Sequence, residues 1–509
     1  MAPGTLLNES NSPISTDYTS ILAPTNTDTP TTAPHRPIPL PLWSPPFTSN
    51  TISPESVLLR RNARSPPLWN TYADGNWLEV SDGTRKWKIF DGSGGAGVSN
   101  IGHNDRRVYA AIDEQRETGV SYAASLSFRT AVVENFANFL IHSTNYEMAE
   151  AVFYCSGSEA TDAAQKLCYQ YHSRLKQDPQ PGCRWFIARE RSYHGATLGA
   201  LELSGHRGRK EMYKPILPEN TQFVSSCYPY RDMKEGETAA QYVERLADEL
   251  DRKIRKIGPE KVAGFIAEPV VGAALGCVPA LPGYLAAMKK VCRKHGVLII
   301  FDEIMCGMGR TGRMHAWQEE GVVPDILLVG KGLAGGYAAI SAMIVGKEIV
   351  VALGHGVFAH GHTFQNFPAA CAAGLAVQMI IQDENLIQNA YEKGEKLEKK
   401  LAARLGNHPH VGNIRGPGLF KGIEFVLDKK TKETFHPEIG VAWQIYERGL
   451  TPEYGIYVYP GSGTVDGFKG DHIIIAPAYN VTDEDIDLVV DRVSNLITSY
   501  FEDLKVSSK

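Results

Sequence analysis

Residues 297–302 read Val-Leu-Ile-Ile-Phe-Asp, a continuously apolar run that follows Gly296 and ends on a carboxylate. A run this short and this apolar predicts a strand buried on both faces, as in a parallel sheet. Upstream, 264–267 (Gly-Phe-Ile-Ala) makes a second strand, and Leu285, Met288, Val291 and Cys292 recur at helical spacing with Gly296 placed to close the helix. Together they predict one right-handed βαβ crossover. Downstream, 326–329 (Ile-Leu-Leu-Val) follows Pro324-Asp325 and stops at Gly330-Lys331, a third strand. The three strands deliver Glu268, Asp302 and Lys331 at their ends. Open α/β sheets bind ligands at the carboxyl ends of their strands, so the coincidence points to one site.

Around this nucleus, short β-rich runs alternate with helical patterns from about 151 to 351, which predicts a mostly parallel sheet wrapped by helices. The fold class is α/β, with residues 113–382 as the large domain. Past 382 the pattern changes to a charged helix over 386–405, a strand over 422–426 and a final helix starting at Thr482. Residues 383–509 are therefore expected to form a smaller α+β domain, joined in space by 53–112. Residues 1–52 stand apart, because 25 of the first 50 are Ser, Thr or Pro. Such a segment buries too little apolar surface to offset its ordering entropy and is expected to be a flexible tail.

The composition excludes several classes of function. The 509 residues are 43% hydrophobic and 21% charged, and the net charge of -5 comes from 52 basic and 57 acidic residues spread along the chain. No basic block could track a phosphate backbone, so nucleic acid is not an expected partner. No apolar run approaches the ~18 residues that span a bilayer, and no membrane association is expected. The 8 cysteines form no C-x-x-C pair and read as reduced thiols, with no metal site. The first 50 residues carry only His35 and Arg36 as basic side chains and lack the apolar core of a signal peptide, so the cytoplasm is the expected compartment.

Each candidate residue admits a structural and a functional account. The segment 153–160, Phe-Tyr-Cys-Ser-Gly-Ser-Glu-Ala, passes from a strand into a helix with a stripe of Ala160, Ala163, Ala164, Leu167 and Tyr171. Ser158 is the expected N-cap. Free N–H groups aligned with the helix dipole at Gly157 and Ser158 suit a phosphate, but an ordinary capped helix would look the same. Asp302 follows a strand too apolar to offer it water, so it needs a cationic partner: a ligand ring, or Arg310 or Arg313. Lys331 lies between two glycines, which suggests close packing, although most lysines are solvated surface groups.

Taken together, these pieces resemble the class III (fold type I, subgroup II) pyridoxal-phosphate (PLP)-dependent aminotransferases from about residue 55 to 500. The matching stretches are 156–160, Ser192-Tyr193-His194-Gly195, Glu268-Pro269, 301–303 with Gly309-Arg310-Thr311-Gly312, Pro324-Asp325 through Gly330-Lys331-Gly332, and Gly361-His362-Thr363. The resemblance implies that Lys331 carries PLP as a Schiff base, the internal aldimine, and that Asp302 holds its pyridine nitrogen protonated. It implies Tyr193 and Ile304 on the two ring faces, Gly157 and Ser158 at the phosphate, Glu268 supporting Asp302, and His194 behind it. Thr363 would reach the phosphate of the partner subunit in a homodimer with shared sites. The implied reaction is ping-pong transfer of an amino group from a donor amine or amino acid to a keto acid or aldehyde.

Where many members carry Gln, the run here is Asp302-Glu303-Ile304-Met305, and a thioether bonds the ring hydroxyl poorly. Arg415, in Ile414-Arg415-Gly416-Pro417-Gly418, either grips a substrate carboxylate or fixes the turn. Trp69 and Met305 are expected in the substrate pocket. Three other functions compete. Residues 92–97, Gly-Ser-Gly-Gly-Ala-Gly, spell a dinucleotide fingerprint, but Val98 to Gly102 open a helix poorly. The same lysine and aspartate also serve aminomutases, decarboxylating enzymes and phospholyases of the family. A scaffold that merely binds PLP would be expected to have lost Lys331 or Asp302.

Overall fold

The computed structural model describes residues 59, 67–354 and 356–507. The tail expected over 1–52 lies outside the described residues. Numbering the strands of the largest sheet in chain order, they are β1 (Met148–Tyr154), β2 (Trp185–Arg189), β3 (Thr221–Val224), β4 (Val262–Ala267), β5 (Leu298–Asp302), β6 (Ile326–Val329) and β7 (Ser341–Gly346). Their order across the sheet is β1-β7-β6-β5-β4-β2-β3. Only β7 runs against its neighbours β6 and β1. The expected α/β fold with a mostly parallel sheet is what forms.

Strand β5 is buried at every position, and it pairs in parallel with β4 on one side and β6 on the other. Burying each of its aliphatic side chains contributes roughly 1.5–3 kcal/mol, which outweighs any helical preference of so short a run. The crossover helix, Tyr284–His295, turns Leu285, Met288 and Cys292 to the core. Gly296 ends it at φ 67°, a left-handed conformation that glycine adopts without the steric cost of a Cβ. Apolar layers fill both faces. One holds Leu246, Met288, Phe265 and Ile299, and the other holds Ala163, Leu167, Ile266 and Ile300.

Of the three smaller sheets, two join distant parts of the chain. Strand Lys86–Asp91 pairs in parallel with Ile456–Tyr457, so residues from both ends of the chain share a sheet. An antiparallel sheet joins Val411–Arg415, Lys421–Phe425, Asp471–Ile475 and Tyr459–Ser462. The boundary read at 112 falls inside the helix Arg106–Glu117, which Asp105 caps. Residues 92–97 make only a kinked turn, non-helical at Gly95 and Ala96, so the dinucleotide fingerprint lacks its helix. Among the described residues, no helix is long and apolar enough to cross a membrane.

Candidate active site

Because β4, β5 and β6 are adjacent, their ends bring Glu268, Asp302 and Lys331 to one cavity of about 300 Å³. Gly157, Ser158, Tyr193, His194, Ile304 and Met305 line the same cavity. Asp302 is buried and held from two sides. Its Oδ2 is 2.7 Å from Nδ1 of His194, and its Oδ1 accepts the Ile304 N–H at 3.1 Å. Arg310 and Arg313, the alternative partners, are engaged elsewhere: Arg310 donates to the carbonyls of Leu419 and Pro477, and Arg313 pairs with Glu319.

Glu268 accepts the N–H groups of Tyr193 and Gly272, each at 3.1 Å. Its carboxyl thereby fixes the backbone beneath the Tyr193 ring. Burial raises the Glu268 carboxyl, opposed by His194 and reinforced by Asp302. For Lys331, burial lowers the amine, while Asp302 and Glu268 pull the other way. Lys331 itself sits at φ 46°, a left-handed conformation that costs a side-chain-bearing residue energy and is characteristic of functional positions.

The helix at the cavity is Gly157–Gln170, and here one sequence expectation is corrected. Ser156, not Ser158, is the N-cap, accepting the Glu159 N–H at 3.3 Å. The first N–H groups of a helix have no internal acceptor, so those of Gly157 and Ser158 are offered at the cavity. Ser158, released from capping, accepts the Ala196 N–H at 3.0 Å and keeps its own O–H to donate. Gly157 has no room for a side chain, since a Cβ there would lie 2.6 Å from Ile304 Cδ1. Ile304 is thus seated against the helix start.

The remaining candidates lie apart. Arg415 does not line the cavity. Its Nε donates to Gly276 O at 2.8 Å, one terminal nitrogen to Asn413 at 3.0 Å and to Glu424 at 2.6 Å, and the other to Leu275 O. The geometry favours its frame-fixing role over the substrate-binding one, because all three guanidinium nitrogens are engaged within the protein. Trp69 sits on the strand Trp69–Asp74, 42% exposed and outside the cavity lining. Thr363 is exposed. Sequence reasoning missed the apolar wall of Val98, Val270, Ala273 and Cys306. Its signal was the apolar run directly after Glu268-Pro269.

Residues 59–497 match the family Aminotransferase class-III. The chain belongs to that family. It is 48% identical over 412 residues to an aminotransferase of Gibberella zeae, covering 80% of each chain. An (S)-enantioselective omega-transaminase from Thermomicrobium roseum superposes with a TM-score of 0.80 at 31% identity, over 87% of this chain and 96% of that one. An omega-transaminase of Pseudomonas jessenii, solved in complex with PMP, gives 0.78 at 28% identity, over 86% and 93%. This class-III aminotransferase is therefore an enzyme that moves an amino group from a donor to a carbonyl acceptor. The family is PLP-dependent.

Proposed function

We propose that this aminotransferase holds PLP in the cavity at the ends of β4, β5 and β6, bound covalently through Lys331. The observation that carries this is the meeting of a buried carboxylate, a half-buried amine and a helix N-terminus in one cavity. Those three groups answer the three polar parts of PLP: pyridine nitrogen, aldehyde and phosphate. When bound, PLP supplies an electron-withdrawing ring that makes the proton on the substrate's amine-bearing carbon labile.

The chain's own residues do the rest. Asp302, fixed by His194 and the Ile304 N–H, favours a protonated ring nitrogen. Tyr193 and Ile304, both on the cavity wall, would hold the ring between them, with Glu268 keeping the Tyr193 backbone in place. Gly157 and Ser158 offer N–H and O–H groups to the phosphate. The Lys331 amine, lowered by burial, has a larger neutral fraction than a surface lysine, so it can take and return the substrate proton. The substrate is a small amine or amino acid with a keto acid or aldehyde as acceptor, lodged against Met305.

The active unit in this reading is a homodimer with shared sites, Thr363 serving the partner's phosphate. Exposed apolar side chains support this: Phe364, next to Thr363 in the chain, is 54% exposed with its ring 6.2 Å from that of Tyr122, and Leu126 and Phe128 are 98% and 65% exposed. Borohydride reduction of the purified holoenzyme is expected to place the pyridoxyl mass on the peptide containing Lys331. A label on any other lysine would overturn the assignment, and an active monomer in light scattering would overturn the shared site.

A further inference from the structure

An amino acid or keto acid entering this cavity needs a cation for its carboxylate, yet among the described residues the cavity is lined by no arginine and by no lysine other than Lys331. The arginines packed around it are mostly spent. Arg189 donates to Glu268 O at 2.5 Å, Arg310 to backbone carbonyls, Arg415 to Glu424, and Arg191 pairs with Asp232. Arg209 differs from all of them. Its guanidinium makes no hydrogen bond or ion pair among the described residues, and it rests 4.5 Å from the centroid of the Tyr193 ring, which does line the cavity.

We propose that Arg209 is the specificity-determining residue that binds the carboxylate of the acid substrate, moving off the Tyr193 ring to do so. The proposal rests on the amino-transfer reading above. Three observations support it. A guanidinium held only by a ring face gives up little on leaving it, of the order of a weak cation–π contact, and gains a charge-assisted, bidentate pair with a carboxylate. Arg209 is half-buried, so the pair would form with partial desolvation and without the cost of a fully interior charge. Its positive charge is also felt at Lys331, where it helps lower the amine, which sets it within electrostatic reach of the reacting centre.

The site around Arg209 is braced for that movement. The short helix Arg207–Lys210 is tied to the loop between the strands Tyr459–Ser462 and Asp471–Ile475, through Gly208 N to Gly467 O at 3.2 Å. Backbone position is thereby fixed while the side chain stays unbonded. An arginine so arranged lets one pocket serve both halves of a ping-pong reaction. It engages an acid when one enters and returns to the ring when the substrate has no carboxylate.

The test uses the holoenzyme in single-turnover half-reactions, with pyruvate as acid acceptor and 1-phenylethylamine as carboxylate-free donor, alongside calorimetric titration with propionate. Arg209→Gln is expected to lower the ratio of acid to amine half-reaction rates on the order of 100-fold, the usual loss for a charge-assisted bond. It should also weaken propionate binding at least about tenfold, with Arg209→Lys recovering part of both losses. Equal losses in the two half-reactions, or unchanged propionate binding, would overturn the proposal. Wild-type enzyme inert toward every donor and acceptor would instead sink the amino-transfer reading, and propionate binding would still report on Arg209.

Discussion

Arg415 is a buried cation bound by Glu424, Asn413 and two carbonyls, while Lys331 is a half-buried one on the cavity wall whose side chain has no hydrogen bond or ion pair among the described residues. The electrostatics follow that contrast. At Arg415, burial alone would lower the guanidinium, yet Tyr228 and Glu424 outweigh it and raise it. Burial alone would likewise raise Glu424, but Arg415 and Arg231 hold it down. At the strand ends burial wins instead, lowering Lys331 and raising Glu268 toward their neutral forms. A buried charge whose partners are all present belongs to the frame. One left short of partners belongs to a site that a ligand completes.

The largest effect that would break this contrast is at Lys331. Lys331→Ala is expected to lower turnover by roughly 10⁴-fold or more, because it removes both the covalent anchor and the proton carrier. Its melting temperature without cofactor should move little, since the side chain completes no internal bond. A variant that keeps a tenth of the wild-type rate would remove Lys331 from the chemistry.

At Arg415 the readout inverts. Arg415→Met leaves Glu424 buried beside a single cation, Arg231, and is expected to cost about 3–5 kcal/mol of stability in denaturant unfolding. Whatever activity it loses should fall equally on acids and on carboxylate-free amines. A selective loss for acids would return Arg415 to the substrate side. Acid works on the same pair. Because the folded state holds the Glu424 carboxyl below its ordinary value, the frame's contribution is present above that value and is lost as pH falls through the lowered one.

Asp302→Asn is the next smaller test, keeping the shape but removing the charge. Half-reaction rates should fall roughly 10²–10³-fold, the range for losing one preorganised electrostatic partner. The absorbance of the bound cofactor should also shift, since the ring nitrogen loses its carboxylate. Near-native rates with an unchanged spectrum would show that Asp302 belongs to the frame after all.

Much of the site was legible in the sequence because local pattern and function coincide there. Strands β4, β5 and β6 are apolar runs that end where a polar residue begins, so their carboxyl ends could be read directly. What was not legible depends on pairings across the chain. His194 meets Asp302 at a separation of 108 residues, and Tyr228 meets Glu424 at 196. No spacing rule encodes either contact. Arg415 was ambiguous for that reason, since its partners Leu275, Gly276 and Glu424 are named only by the fold. Trp69 lies on an exposed strand outside the cavity lining, and an aromatic side chain near the N-terminus reads alike whether it lines a pocket or such a strand. Arg209 carries no local mark at all; only its place on the Tyr193 ring distinguishes it.

The smallest effects sharpen the same contrast within three residues, at Ser156-Gly157-Ser158. The cap was expected at Ser158, but the structure gives it to Ser156. In the structure Ser156 takes extended backbone angles, φ -145° and ψ 154°, and its side chain accepts the Glu159 N–H. Its own carbonyl accepts the Ser341 hydroxyl at 2.7 Å, so Ser156 is tied on both sides. Ser156→Ala should therefore cost about 1 kcal/mol of stability, the usual value of an N-cap, with and without PLP. Ser158 accepts only the N–H of Ala196, an exposed residue, where water can replace the bond. Ser158→Ala should leave the cofactor-free melting temperature nearly unchanged but weaken PLP retention several-fold, as expected for one neutral hydrogen bond of about 1 kcal/mol. Dialysis against buffer, followed by the absorbance of retained PLP, separates the two. If Ser156→Ala loosened PLP while Ser158→Ala lowered stability, the assignments of cap and phosphate ligand would be exchanged.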